Sequence, residues 1–324
     1  MANMSFAFNA LAPLLVLALI GYVLKRRGFF SDGFTMFLNK YIFYVALPVL
    51  IFKTLATIQG GEVIAWDVVL FSVVVLLTIM VLGFLITPFL GLKQIEKPVL
   101  VQSFFRGNFT LIGIPLALRL GGEEALSMII ILNAALIPLT NIVSIFTFRF
   151  YQNESDDHLS FFELMRETMR NPIMLAMALG GVAFLTQSFW SPTLTSEHVV
   201  FETLEMISAT ATPMALIAIG GSFEFTRIKS FMRPLFIGVS ARLLILPVSV
   251  FSLALLLQPW IRFEGTWPSM IAIFASPVAV STVAVTQGLG GDERLASQLV
   301  IWTSALAMIS MFIYITVFRG LGLL

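Results

Sequence analysis

The sequence predicts an all-α membrane protein of ten transmembrane helices in two inverted five-helix repeats, with helices 4 and 9 interrupted. Three observations carry this reading: an apolar composition, ten apolar runs of crossing length, and a turn motif recurring at equivalent places in the two halves. Of the 324 residues, 58% are hydrophobic and 11% charged, and the mean hydropathy is +0.97. Soluble domains carry about 25% charged residues. A chain this apolar cannot cover a water-facing surface, which excludes an ordinary soluble enzyme. The hydrophobicity also excludes disorder. The apolar runs are continuous, unlike the alternating strands of about ten residues in an outer-membrane barrel.

A helix crosses a bilayer with about 20 apolar residues. Ten segments meet this, at 8–24, 34–57, 66–91, 97–119, 124–150, 171–190, 198–222, 232–257, 267–289 and 295–318. The longest polar stretch, 152–170, contains Leu159, Phe161, Phe162, Leu164, Met165 and Met169. It reads equally as an interfacial helix or as a solvated linker. The chain therefore divides into a first repeat (1–151), a cytoplasmic linker (152–170) and a second repeat (171–324).

No positive charge precedes the first segment, and Lys25, Arg26 and Arg27 follow it. That order is not a cleaved signal peptide. It places the N-terminus outside, and ten crossings return the C-terminus outside. Predicted cytoplasmic loops then hold Lys25, Arg26, Arg27, Lys93, Lys97, Arg149, Arg166, Arg170, Arg227, Lys229, Arg233 and Arg294. Predicted outer loops hold Lys53, Arg119, Arg262 and Arg319. This bias supports the orientation in a bacterial inner membrane.

Segment four ends in Leu120-Gly121-Gly122-Glu123-Glu124-Ala125-Leu126, and segment nine in Leu289-Gly290-Gly291-Asp292-Glu293-Arg294-Leu295. Pro48 and Pro213 recur at a similar spacing, as do Gly21 and Gly180. Five helices per copy is an odd number, so the second copy must be inverted. Inverted repeats mark secondary transporters, whose substrate site lies near the midplane between the copies.

Segment four is weakened by Gly107, Gly113 and Pro115 around Asn108, and segment nine by Pro277 in Ala275-Ser276-Pro277-Val278. A break at mid-membrane frees backbone groups that lipid cannot satisfy, so it must line a protein or water cavity. Each downstream half-helix presents a partially positive N-terminus that favours an anion. A simple proline kink is the alternative for either helix alone. The matched depth of the two breaks favours a binding site.

Together these stretches carry a family resemblance. The residues are Tyr44-Val45-Ala46-Leu47-Pro48, Gly107-Asn108 followed by Gly113-Ile114-Pro115-Leu116, Asn171-Pro172, and Pro277. They occur in order along nearly the whole chain, which resembles the bacterial branch of the auxin efflux carrier family, where some members are named malonate transporters. The resemblance implies that helices 4 and 9 are proline-broken and cross at those prolines. It implies a homodimer in which helices 1, 2, 6 and 7 form a scaffold and helices 3–5 and 8–10 a moving bundle. It further implies an organic anion as substrate, bound near Asn108, Pro115 and Pro277.

Arg106 lies two residues before Asn108, where a charge costs about 2.5–3.5 kcal/mol even on the mildest scale. It reads either as a carboxylate grip or as a packed or snorkelling side chain. Arg242 reads as a second cation or as a brace for the bundle. Acidic residues are missing from mid-membrane: Asp67, Glu202 and Glu205 lie toward the outside, which argues against a cation antiporter. Phe109, Thr110, Asn133, Ser276, Val278, Ser281 and Thr282 complete the candidate substrate-binding set, with Thr140 and Asn141 at lower odds.

The chain has no cysteine and two histidines, His158 and His198, 40 residues apart. They provide no metal-ligand spacing, and nothing requires a cofactor or suggests nucleic acid. The reading is therefore a carrier of a small carboxylate working by elevator-type alternating access. Its rivals are a sodium-coupled organic-anion symporter of the bile-acid carrier type and a non-transporting receptor. A channel lacks a filter motif, and a membrane enzyme lacks a catalytic set.

Overall fold

A computed structural model describes residues 2–57, 65–151, 166, 170, 172–186, 199–221 and 232–324. Within them the chain is helical, with one isolated β-bridge. The α-helices are α1 (Ala2–Arg26), α2 (Asp32–Tyr41), α3 (Leu47–Thr57), α4 (Trp66–Ile86), α5 (Lys97–Phe105), α6 (Ile114–Tyr151) and α7 (Pro172–Leu185). They continue as α8 (Val199–Gly221), α9 (Met232–Ser240), α10 (Leu246–Leu257), α11 (Trp267–Phe274), α12 (Ser281–Gly288) and α13 (Glu293–Gly320). Most of the 152–170 linker lies outside the described residues, as do His158, His198, Arg227 and Lys229.

Among the described residues, seven helical stretches are long and apolar enough to cross a membrane. The difference from ten segments has identifiable causes. Segments four and nine are split into short halves, α5 before the break in one and α11 and α12 around the break in the other. Segment six is described only as α7, which is 14 residues long. Segment five is joined to the end of segment four in one long helix, α6, interrupted at Gly121 (φ −138°, ψ 15°) and Gly122 (φ 63°, ψ −151°). That interruption is the first copy of the repeated Gly-Gly turn. The second copy also places a glycine in the left-handed region, Gly290 at φ 71°. Asp292 then caps α13, its side chain accepting from the Leu295 N–H at 3.0 Å. Glycine is needed because only it reaches positive φ at no steric cost.

Three helices contain a wide π turn: Ile42–Ala46 between α2 and α3, Phe109–Gly113 leading into α6, and Ala241–Ile245 between α9 and α10. In each case the second residue after the turn is proline: Pro48, Pro115 and Pro247. Proline donates no hydrogen bond and its ring clashes with the carbonyl four residues earlier. A wide turn opens that spacing and lets the helix continue. At Pro247 the displaced carbonyl, Leu243 C=O, accepts instead from the Tyr314 hydroxyl at 2.7 Å.

Small residues set the closest helix contacts. α1 and α8 meet where a Cβ on Gly21 would lie 1.9 Å from the Ile217 carbonyl oxygen, and one on Gly220 would lie 1.8 Å from that of Ala18. α7 meets α3 at Gly180, against the Leu55 side chain and the Phe52 carbonyl. Such contacts let backbones approach in a medium that supplies no hydrophobic drive between helices. α4 packs on α5 and α6, α5 on α6, and α11 on α6; α6 and α11 also contact the π turn Phe109–Gly113 that follows the break of segment four.

These contacts predict that Gly220→Val forces α1 and α8 apart. The variant is expected to melt well below the native protein in the same detergent. An unchanged melting temperature would contradict the packing described.

Candidate functional site

The two interrupted stretches meet each other. α5 ends at Phe105, and Arg106 (φ −89°, ψ 87°) and Asn108 (φ −80°, ψ 62°) leave the helical region. α11 ends at Phe274, and the chain returns to helix at Ser281. Gly107 and Val278 form an isolated antiparallel bridge. The Asn108 N–H donates to Pro277 C=O at 2.7 Å, and the Ala279 N–H donates to Arg106 C=O at 3.0 Å. The Val278 N–H donates to Thr303 Oγ1 of α13 at 3.0 Å. Groups freed by one break are thus satisfied by the other, as the interior of a membrane protein demands.

Asn108 starts the downstream helix of segment four. Its Oδ1 accepts from the Leu111 N–H at 3.1 Å, the role of an N-cap. The break therefore lies at Arg106–Asn108 and not at Pro115, which sits in the following helix. Proline is tolerated there because the wide π turn Phe109–Gly113 immediately before it opens the hydrogen-bond spacing. Segment nine does break at Pro277. The crossing so joins Gly107-Asn108 to Pro277-Val278, rather than one proline to the other.

Arg242, at 2% exposure, holds the ends of both upstream halves. Its Nη1 donates to Phe104 C=O at 2.8 Å and its Nε to Ser276 C=O at 2.8 Å. Its Nη2 reaches Ile273 C=O at 3.3 Å and Ser276 Oγ at 3.0 Å. These are carbonyls at helix C-termini, where a cation is favoured and orphan acceptors need donors. The guanidinium also fixes the identity of residue 107, where a Cβ would fall 2.0 Å from Arg242 Nη2 and 2.6 Å from Ser276 Oγ.

Arg106 has a different environment. Nη1 donates to Ser144 Oγ and Nη2 to Ser281 Oγ, each at 3.3 Å. Among the described residues its Nε has no partner. Among the described residues neither arginine has a carboxylate partner. Arg106 lines a cavity of about 280 Å³ beside the crossing, whereas Arg242 does not.

Of the sequence candidates, Arg106, Asn108, Phe109, Thr110 and Ser281 line this cavity. Gly113, Pro115, Asn133, Ser276, Pro277, Val278 and Thr282 do not line it: Asn133 Nδ2 reaches the Phe109 carbonyl at 3.4 Å, and Ser276 bonds Arg242. Glu205 is elsewhere, ion-paired with Lys53. The wall also includes Thr140 and Asn141, together with Phe43, Ile137, Ile173 and Val280. Apolar wall residues carry no sequence signal that separates them from ordinary core. The Asn108 side-chain Nδ2 is buried and has no partner among the described residues, so cap and cavity share one amide. Among the described residues no three His, Asp or Glu side chains cluster as metal ligands would.

Removing the Arg242 guanidinium leaves acceptors on both half-helices bare, at about 1–3 kcal/mol for each buried group. Arg242→Met is expected to lower the melting temperature sharply, and Gly107→Ala to do the same by displacing the guanidinium. Native-like melting of both would contradict the clamp.

Comparison with known proteins gives the chain its family. It is 26% identical over 303 residues to a protein of Rhizobium meliloti (strain 1021) named as a malonate transporter, covering 91% of each chain. It is 22% identical over 307 residues to an uncharacterized transporter of Methanocaldococcus jannaschii, covering 91% of this chain and 93% of that one. The model of the membrane transport protein family matches residues 6–315. With nearly its whole length matched, the chain belongs to this family of transporters, the auxin efflux carrier family that its motifs resemble.

Proposed function

We propose that this membrane transporter carries a small organic anion, a carboxylate, by elevator-type alternating access. The observation that carries the proposal is Arg106: a buried guanidinium on the wall of a cavity, held by hydroxyls and, among the described residues, lacking a carboxylate partner. An uncompensated charge in a low-dielectric site is stabilised by an anionic ligand, which a guanidinium can grip in bidentate fashion. Asn108 Nδ2 offers a further donor. The crossing falls near the middle of segments four and nine, the depth at which a carrier binds its substrate. The relative named as a malonate transporter supports the same substrate class.

Ten crossings in two inverted repeats account for several pairings at once. The repeated turns are offset by 169 residues, and that offset relates Asn108 to Pro277, which are hydrogen-bonded to each other. Residues related by a pseudo-two-fold axis touch only near that axis. Gly21 of segment one packs on segment seven, and Gly180 of segment six packs on segment two, as inversion requires. The contacts of α1 with α8 and of α3 with α7 and α8 support helices 1, 2, 6 and 7 as the scaffold. Helices 3–5 and 8–10 would form the moving bundle. In this scheme the protein is a homodimer in a bacterial inner membrane with both termini outside.

The test is charge movement in proteoliposomes on a solid-supported membrane. Acetate, malonate, succinate and phenylacetate are applied with and without sodium or proton gradients. A saturable current is expected for one acid class, weakened about tenfold or more by Arg106→Gln and lost in Asn108→Ala. Currents unchanged in both folded variants would overturn the assignment. A strict sodium requirement would move the protein to the symporter class.

A further inference from the structure

Arg106 shares a hydrogen-bond partner, Ser144, with a residue one helical turn before it. Gln102 and Arg106 are i and i+4 on α5, joined by the Arg106 N–H to Gln102 C=O bond at 3.0 Å. Glutamate four residues ahead of a basic residue is the favoured arrangement for an ion pair on a helix. This chain has the neutral isostere instead.

Hydrogen bonding fixes the amide orientation. Gln102 is fully buried. Its Oε1 accepts from Thr286 Oγ1 of α12 at 3.2 Å, and its Nε2 donates to Ser144 Oγ of α6 at 3.1 Å. Ser144 gives its own proton to Thr140 C=O at 2.7 Å. Its two lone pairs are therefore the acceptors for Gln102 Nε2 and Arg106 Nη1. A carboxylate at position 102 could not donate to Ser144. It would place a negative charge beside the hydroxyl that the guanidinium also contacts, where the two opposite charges attract.

We infer that Gln102 is a positioning residue that sets the charge selectivity of the cavity: as a neutral amide it orients Ser144 toward Arg106 and leaves the guanidinium free to select an anion. The inference rests on the carboxylate-carrier reading. It adds that selectivity for charge is held outside the cavity wall, in a tether from α5 through Gln102 to α6 and α12. The tether spans both halves of the crossing, because Thr286 follows the break of segment nine as Gln102 precedes that of segment four.

The test compares acids with their uncharged amides. Binding of malonate and phenylacetate is measured against malonamide and phenylacetamide on the purified, full-length protein. The native protein is expected to prefer at least one acid by about tenfold or more, the difference between a charged and a neutral hydrogen-bond partner. In Gln102→Glu that preference should fall to within about threefold, because the new carboxylate pairs with Arg106. A general structural lesion would weaken acid and amide together and leave their ratio unchanged. A folded Gln102→Glu protein that keeps the native ratio would overturn the inference. If that variant does not fold, Gln102→Met, which is similar in length but cannot donate to Ser144, is expected to lower the acid preference, and a native acid-to-amide ratio in the folded protein would overturn the inference. If the native protein binds no acid over its amide, the carrier reading itself fails, and the two failures are thereby distinct.

Discussion

A helix broken inside a membrane has nowhere to send its free N–H and C=O groups, because lipid offers no partners. The architecture around residues 106–108 and 275–280 answers that constraint. Two breaks are turned toward each other, and each supplies the hydrogen bonds that the other lacks. What the bridge leaves unsatisfied, the carbonyl ends of α5 and α11, is closed by the single guanidinium of Arg242. Gly107 must be glycine for that guanidinium to fit. The cavity exists because these residues hold two irregular backbones apart from lipid and against each other.

Two buried arginines have opposite fates at this crossing. Arg242 donates to four acceptors on the protein and has the character of an internal helix cap. Arg106 touches two serine hydroxyls and the cavity. The difference lies in the element that delivers each one. Arg242 comes from a π turn of a neighbouring helix and meets helix C-termini, where carbonyls converge. Arg106 is itself the residue at which α5 ends, so its side chain emerges beside the break. Structural bracing thus falls to Arg242, and the proposed anion contact to Arg106, a second residue of the same type.

Much of this was legible in the sequence. The apolar segments, the repeated Leu-Gly-Gly-acid turn and the weakened centres of segments four and nine mark the helices and the place where they fail. Arg106 and Asn108 stand out because charge and amide are expensive at mid-membrane. The break itself was less legible. Proline suggested Pro115 as the interruption, but a wide π turn absorbs that proline and the break falls at Arg106–Asn108. Gln102, Ser144 and Thr286 gave no signal, since a lone amide or hydroxyl in an apolar helix often bonds within its own turn. Their importance comes from three helices meeting, which no local pattern encodes. Ile137, Ile173 and Val280 are indistinguishable from core residues until the fold places them on the cavity wall.

The central claim is that the crossing presents Arg106 to an anion. The most direct measurement is a cryo-EM structure of the protein with the best-binding acid of the carboxylate panel. The account predicts ligand density in the cavity beside Asn108, with a carboxylate within hydrogen-bonding distance of the Arg106 guanidinium and Arg242 still bonded to the half-helix ends. Density bound elsewhere, or Arg106 paired with a carboxylate of the protein itself, would contradict it.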